Sequence, residues 1–427
     1  MKTTYAITLS LALGWANVAA RPVSEQQNAS TPSIAAGSNQ TAAVESHPLE
    51  ADSQALNAFL GDDLNSINNV NPDPKDRIYP KRSDKDAPYS LSEQELRSKI
   101  FIPKTFSTSS KKQPVILVPG TAAMAGSTYR ANLGPLLAKS DFADPLWVNI
   151  PGASLGDAQG NAEYVAYAVN YVRSATGKKP AVVAWSQGNL NTQWALKYWP
   201  STREAVTDLV ALSPDFHGTT EAFLACGTAA AAAIGCTPSV YQQAYNAQFV
   251  RTLRANGGDS AYVPTTSIFS ATDEIVQPQS GSGASAFLKD GKDGAVASNV
   301  EVQKACPGTP AGGAVTHEGM LYNALAFALL RDALANEGPG RLERVDRKKV
   351  CADPAAGKLD ALEIQATEAV LADAARNVLV YPNKVNREPA IKDYARQYQI
   401  LSIKTIQLSS HEPESLGDFV DDLGLLL

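Results

Sequence analysis

A hydroxyl, an imidazole and a carboxylate with the spacing of an acyl-transfer site can be picked out of this chain. Ser186 stands in Pro180-Ala-Val-Val-Ala-Trp-Ser-Gln-Gly188, where an apolar, β-prone stretch runs into the serine. From Asn189 to Tyr198, Leu190, Trp194 and Leu196 recur at the spacing of an amphipathic helix. Strand, serine, helix is the context of a nucleophile elbow, a sharp turn that lifts the hydroxyl clear of its surroundings. Ala184 and Gly188 are the small residues needed where strand and helix backbones nearly touch, although Ala184 departs from the usual G-x-S-x-G. The competing reading is a serine that only caps a helix.

Such a hydroxyl needs a base, and there are four histidines, His47, His217, His317 and His411. His47 lies in a polar N-terminal stretch and His411 near the C-terminus, neither placed to be held rigidly. His317, in Gly313-Ala-Val-Thr-His-Glu-Gly319, occupies a glycine-bounded loop before an apolar helix expected over Met320 to Leu334. An imidazole on a loop beyond a sheet can take the serine proton and return it to the leaving group. His317 is therefore the candidate base. His217, at the end of a strand that begins at Leu209, is the reserve.

The orienting carboxylate is sought between serine and histidine. Ile268-Phe-Ser-Ala-Thr-Asp-Glu-Ile-Val276 reads as an apolar strand ending in Asp273 and Glu274. Asp273 completes the order Ser…Asp…His of the α/β-hydrolase arrangement. Glu274 is its competitor, and an aspartate that merely terminates a strand is the plainer alternative. Donors for a developing oxyanion are expected from the N–H of Gln187 and from the Gly120-Thr121 turn after the strand Pro114 to Val118, with the Thr121 hydroxyl adding one more. Otherwise Gly120 only permits a positive φ at an ordinary turn.

Val118-Pro-Gly-Thr121, Ala184-Trp-Ser-Gln-Gly188, Pro214-Asp215, Pro264-Thr-Thr266 and above all Ser270-Ala-Thr-Asp-Glu-Ile-Val-Gln-Pro-Gln279 resemble the Candida antarctica lipase B family. Glu388-Pro and Tyr394-Ala-Arg396 extend the resemblance, which covers roughly residues 112 to 397. It implies an α/β-hydrolase fold, secretion, and a serine lipase with Ser186 as nucleophile, Asp273 as orienting acid and His317 as base. It further implies Thr121 and Gln187 in the oxyanion hole, Trp185 walling the pocket, and Asp215 as a buried polar support. Cys306 and Cys351 match a disulfide of that family, which leaves Cys226 and Cys236 to close a short loop. By chain entropy each bridge contributes roughly 3–4 kcal/mol. Departures are Asn189 where a second glycine is common, an expanded Glu221 to Pro238 segment where the family has a short mobile helix, and Arg387 in place of an expected cysteine.

The elements that must position these groups are apolar strands alternating with helices, Val182–Ala184, Leu209–Leu212 and Ile268–Phe269 among them. They predict an α/β fold with a mostly parallel central sheet flanked by helices. Ahead of it, Met1-Lys-Thr-Thr, an apolar Tyr5 to Ala19 and the small residues Val18-Ala-Ala20 form a signal peptide over 1–20. Residues 21–82, rich in Asn, Ser, Asp and Pro, read as a disordered or weakly helical pro-segment. That stretch holds the sequons at Asn28 and Asn39 and ends in Lys81-Arg82, either a dibasic processing site or a chance pair. One catalytic domain is expected over 83–427, with an extension from about 398 outside the resemblance.

A net charge of −6 and a pI near 5.4 argue against nucleic-acid binding. No transmembrane segment, cofactor or metal is expected, since no C-x-x-C or His-Cys spacing supports a metal site. The function expected is a secreted, monomeric hydrolase of carboxylic esters acting on triacylglycerol, including at an oil–water interface. An esterase, polyesterase or amidase with the same triad, and an inactive hydrolase-fold binding protein, are the alternatives. Ala229 to Gly235 reads either as a lid or as a buried helix.

Overall fold

The computed structural model describes residues 63–396. The expected signal peptide, the sequons at Asn28 and Asn39, His47, His411 and the extension from about 398 lie outside the described residues.

Seven strands form one sheet: β1 Ile100–Phe101, β2 Gln113–Val118, β3 Ala143–Val148, β4 Ala181–Trp185, β5 Leu209–Leu212, β6 Thr265–Phe269 and β7 Ala297–Glu301. Their spatial order is β1-β3-β2-β4-β5-β6-β7. Only β1 runs antiparallel to its neighbour. A parallel sheet needs crossovers that cover both faces, so its strands are apolar throughout rather than alternating. β2 and β4 follow that rule. Ile116, Val118, Val182 and Ala184 enter one core with the Ala158–Thr176 and Gln187–Tyr198 helices. Val115, Leu117, Val183 and Trp185 enter the other with the Ala324–Ala335 helix.

The register aligns Val118 with Ala184, Trp185 with Leu212 and Leu212 with Ile268. The carboxyl ends of β2, β4, β5 and β6 therefore finish along one edge, where open α/β sheets place their ligands. Two element boundaries differ from the sequence reading. β6 stops at Phe269, short of Asp273 and Glu274, because Ser270 turns its hydroxyl to the Val315 carbonyl at 2.7 Å and the chain leaves the ladder. The apolar helix starts at Ala324 rather than Met320, because the Asn323 side chain accepts from Leu325 and Ala326 N–H and caps it there.

Residues 63–82 correct the expectation of disorder or weak helix for the last part of the expected pro-segment. They lie along the domain as an irregular strap held by side-chain bonds to its backbone. The Leu64 carbonyl accepts from Trp147 Nε1 and Asn149 Nδ2, both at 2.8 Å. Asn71 Nδ2 donates to the Ile100 carbonyl at 2.7 Å, Asp76 N–H to Ser174 Oγ at 2.8 Å, and Ile78 is buried in the core. Such anchoring has no apolar period, which is why composition alone read the stretch as unstructured. Both disulfides, Cys226–Cys236 and Cys306–Cys351, are formed.

Candidate active site

Ser186 follows β4 directly and occupies the N-cap position of the Gln187–Tyr198 helix, with φ 53° and ψ −131°. Its side chain makes no capping hydrogen bond, so the plain capping role fails. The turn is as tight as the small residues foretold. A Cβ at Gly188 would lie 2.7 Å from the Val118 carbonyl oxygen, and one at Gly120 would lie 2.8 Å from Ser186 Cβ. Gly120 is thus required by close approach and not by a positive φ, which it does not have. Ala122, Ser154 and Ser213, on neighbouring loops, share with Ser186 a positive φ that non-glycine residues seldom adopt. Backbone strain is concentrated at this edge of the sheet.

Asn189 now has a role. Its Nδ2 lies 3.0 Å from the Ser186 carbonyl and 3.2 Å from those of Ala184 and Leu212, tying the elbow to β4 and β5. A side chain that satisfies these buried acceptors replaces the glycine common at this place.

His317 is brought to the same edge. Its Nδ1 stands 2.8 Å from Asp273 Oδ2, and both side chains are almost wholly buried. The His317 carbonyl accepts from Trp185 Nε1 and Ser213 Oγ, each at 3.1 Å, and the Trp185 and His317 rings lie 5.0 Å apart. Asp273 lies beyond the strand end, in a turn closed by its own Oδ1, which accepts from the N–H groups of Ile275 at 2.9 Å and Val276 at 2.7 Å. Glu274 is not the imidazole's partner: its Oε2 accepts the His317 main-chain N–H at 3.1 Å. His217 lies apart, with Nε2 2.9 Å from Asp259 Oδ1 in a cluster with Arg254 and Lys289.

Burial pulls the His317 imidazole down, but the field and hydrogen bond of Asp273, with Glu274 and Asp215, outweigh it and leave the imidazole above its usual value. Burial pushes the Asp215 carboxyl up to about 7 against the pull of its own main-chain N–H and of His317, and neither of its oxygens has a hydrogen-bond partner in another of the described residues. Asp215 is buried beside the pair, as a polar support would be, and burial favours its neutral form.

The two oxyanion-hole candidates are joined by a residue the sequence reading missed. Gln243 Oε1 accepts from the Thr121 hydroxyl at 2.8 Å, and Gln243 Nε2 approaches Gln187 Oε1 at 3.3 Å. Gln187 Nε2 in turn donates to the Ser154 carbonyl at 3.1 Å. Gln187 opens its helix, so its amide has no acceptor inside that helix. Gln243 ends a separate short helix, Pro238–Gln243, and nothing in its local sequence links it to Thr121.

Beside the site, the Thr220–Cys226 and Ala229–Ile234 helices fill the expanded segment. Ile234 is 78% exposed, which sets aside the buried-helix alternative for Ala229 to Gly235, and Leu224 on the preceding helix is 53% exposed. Cys236 pairs with Val385 through both main-chain bonds, at 2.9 and 2.8 Å. That bridge fastens the segment to the chain after the Ala361–Val380 helix, whose end exposes Leu379 and Val380. Among the described residues, no helix is long and apolar enough to cross a membrane.

The chain is similar to two known proteins. The chain is 35% identical over 299 residues to lipase B of Pseudozyma antarctica, spanning 69% of this chain and 82% of that protein. The crystal structure of Aspergillus fumigatus lipase B matches with a TM-score of 0.73 at 50% identity, over 81% of this chain and 82% of that one. No family model matches the chain.

Proposed function

The chain belongs to the lipase B family of α/β-hydrolases and is a carboxylic ester hydrolase, and from that premise we propose that it is a secreted serine lipase that cleaves triacylglycerols through an acyl-enzyme on Ser186. The observation that carries this reading is the buried His317–Asp273 pair, hydrogen bonded through the His317 carbonyl to Trp185, the residue before the elbow serine. Asp273 holds the proton of the imidazole on Nδ1, which leaves Nε2 as the base for the serine hydroxyl. Ser186 Oγ attacks the ester carbonyl as His317 takes its proton. The N–H groups of Gln187 and Thr121 receive the oxyanion, and the Thr121 hydroxyl rotates from Gln243 to join them. The alcohol departs with the proton from His317, and water repeats the cycle on the acyl-enzyme. Trp185 walls the pocket.

Exposed Leu224 and Ile234 on the disulfide-closed segment, with Leu379 and Val380 nearby in sequence to the Val385 bridge, support a substrate met at an oil–water surface. Secretion is supported by the signal-like N-terminus and by two disulfides, which persist in oxidising compartments. The test is twofold. An active-site phosphonate should label Ser186 alone, located by peptide mass, and the enzyme should hydrolyse emulsified triglyceride as well as long-chain p-nitrophenyl esters. Activity confined to short soluble esters would make it an esterase. Labelling at another serine would remove the mechanism.

Lys81 and Arg82 are both exposed, between a strap buried at Ile78 and a turn fixed by buried Asp86, which bonds Ser201. We propose that a dibasic protease cuts after Arg82, giving a mature start at Ser83, and that the severed strap stays bound. A Cβ at Gly126 would stand 2.3 Å from the Leu64 carbonyl oxygen, so this contact tolerates no side chain. Cleaved enzyme should therefore run as one species on size exclusion and as two chains under denaturing conditions. Gly126→Val should release the smaller chain. A cleaved wild type that sheds the fragment would refute retention.

A further inference from the structure

The loop that carries His317 is gripped from a side the triad does not use. Glu368, on the Ala361–Val380 helix, accepts from the Tyr322 hydroxyl at 2.6 Å and from the Thr316 hydroxyl at 3.4 Å. Thr316 Oγ1 also accepts the Gly319 N–H at 3.0 Å. Glu368 thus holds the chain both before and after His317. Opposite, Glu274 holds the His317 N–H itself. Between them lies Glu318, only 5% exposed, within hydrogen-bond reach of Glu368 and with Oε2 unpartnered among the described residues.

Two carboxylates cannot hydrogen bond unless one of them carries a proton. We propose that Glu368 is a positioning residue for the general base, and that a proton carried by Glu318 and donated to Glu368 closes this clamp on the His317 loop. Glu368, half-buried on its helix, then receives three donors, from Tyr322, Thr316 and Glu318, and charge-assisted bonds of this kind are the strong ones. The inference rests on His317 acting as base for Ser186.

The electrostatics agree with the geometry. Burial, and then the fields of Glu274 and Glu368, push the Glu318 carboxyl up to about 9, so it is protonated at neutral pH. Burial and Glu368 likewise push the Tyr322 phenol up, which keeps it a donor. The charged and titratable groups around the clamp are Asp273 and Glu274 from the turn after β6, His317 and Tyr322 from its own loop, Glu368 from the long helix and Asp215 from beyond β5. No cation other than His317 is among them, so loss of the Glu318 proton sets like charges against one another and frees the loop. Activity that depends on a fixed imidazole should fall as pH rises through about 9.

The experiment is steady-state kinetics on a soluble p-nitrophenyl ester across pH, with each variant's folding checked by circular dichroism and by phosphonate titration of Ser186. Glu368→Ala should lower kcat by tenfold to a hundredfold, roughly what loss of orientation costs, with KM nearly unchanged. Glu368→Gln, whose amide oxygen still accepts from Tyr322 and Thr316, should recover most of that loss. Tyr322→Phe, which removes one donor and keeps the ring, should fall between them. Glu318→Gln, a donor that cannot ionise, should remove the alkaline limb near pH 9. Folded Glu368→Ala with wild-type kcat, or an alkaline limb untouched by Glu318→Gln, would overturn the clamp. Wild-type activity that survives Ser186→Ala would instead sink the underlying mechanism, so the two failures are distinguishable.

Discussion

Ser186→Ala should lower kcat for ester hydrolysis on the order of 10⁴-fold or more while leaving the protein folded and able to bind ester. The expected loss is large because the substitution removes the atom that becomes acylated, and no other hydroxyl can substitute within the elbow. The structural cost should be small for three reasons. The Ser186 side chain caps nothing. Alanine retains the Cβ that packs against Gly120 and adds no atom to a space already tight there. The backbone bond from Ser186 N–H to the Leu212 carbonyl, at 3.0 Å, does not depend on the side chain. Residual turnover would come from the oxyanion donors and substrate binding alone. The check is the initial rate on p-nitrophenyl butyrate at matched protein concentration, with thermal unfolding of both proteins in parallel. A rate within tenfold of wild type would remove Ser186 as nucleophile.

Asp273→Asn should cost about 10⁴-fold in kcat, through the imidazole rather than through the fold. Asp273 divides its work between two oxygens. Oδ1 accepts the N–H groups of Ile275 and Val276 and shapes the turn, while Oδ2 faces His317 Nδ1. Asparagine can keep its carbonyl oxygen on the two amides, so the turn should survive. Its NH₂ would then face Nδ1 as a donor, which favours the tautomer with the proton on Nε2. The nitrogen that must accept the serine proton would already be occupied. The pH dependence provides an independent reading. Asp273 is the strongest influence raising the His317 imidazole against the opposing pull of burial. Without that carboxylate the imidazole loses its proton more readily, so the acid limb of the residual activity should shift to lower pH. A variant that keeps wild-type kcat, or an acid limb that moves upward, would show that Asp273 does not serve this histidine.

Two other features act at longer range. Strap retention depends on contacts between residues 63–82 and the domain, and the clamp depends on a glutamate in the last long helix. Neither involves the nucleophile directly. Both therefore separate what holds the site together from what performs the reaction.

What the amino-acid order settled by itself was local. An apolar run ending in Ala184-Trp-Ser-Gln-Gly188 makes a buried strand and a tight turn, because backbone sterics and burial act over a few residues. Apolar strands alternating with helices require a covered parallel sheet, and that architecture places the loops after β2, β4, β5 and β6 along one edge. The candidates for nucleophile, orienting acid and base were legible for this reason. Several choices were not. Asp273 and Glu274 are adjacent in sequence, and only the turn closed by Asp273 Oδ1 sends one to the imidazole ring and the other to the main-chain N–H. His317 and His217 both stand near the end of the sheet, and only packing places His217 on Asp259. Gln243 on Thr121, Glu368 on Tyr322 and Leu64 on Trp147 join segments far apart in the chain. Each of these bonds is made by a polar side chain with no periodic signature, and its partner is set by how helices and loops stack on the sheet. Sequence specifies short-range conformation and which surfaces must be buried; it is the burial itself, once complete, that decides which distant polar groups meet.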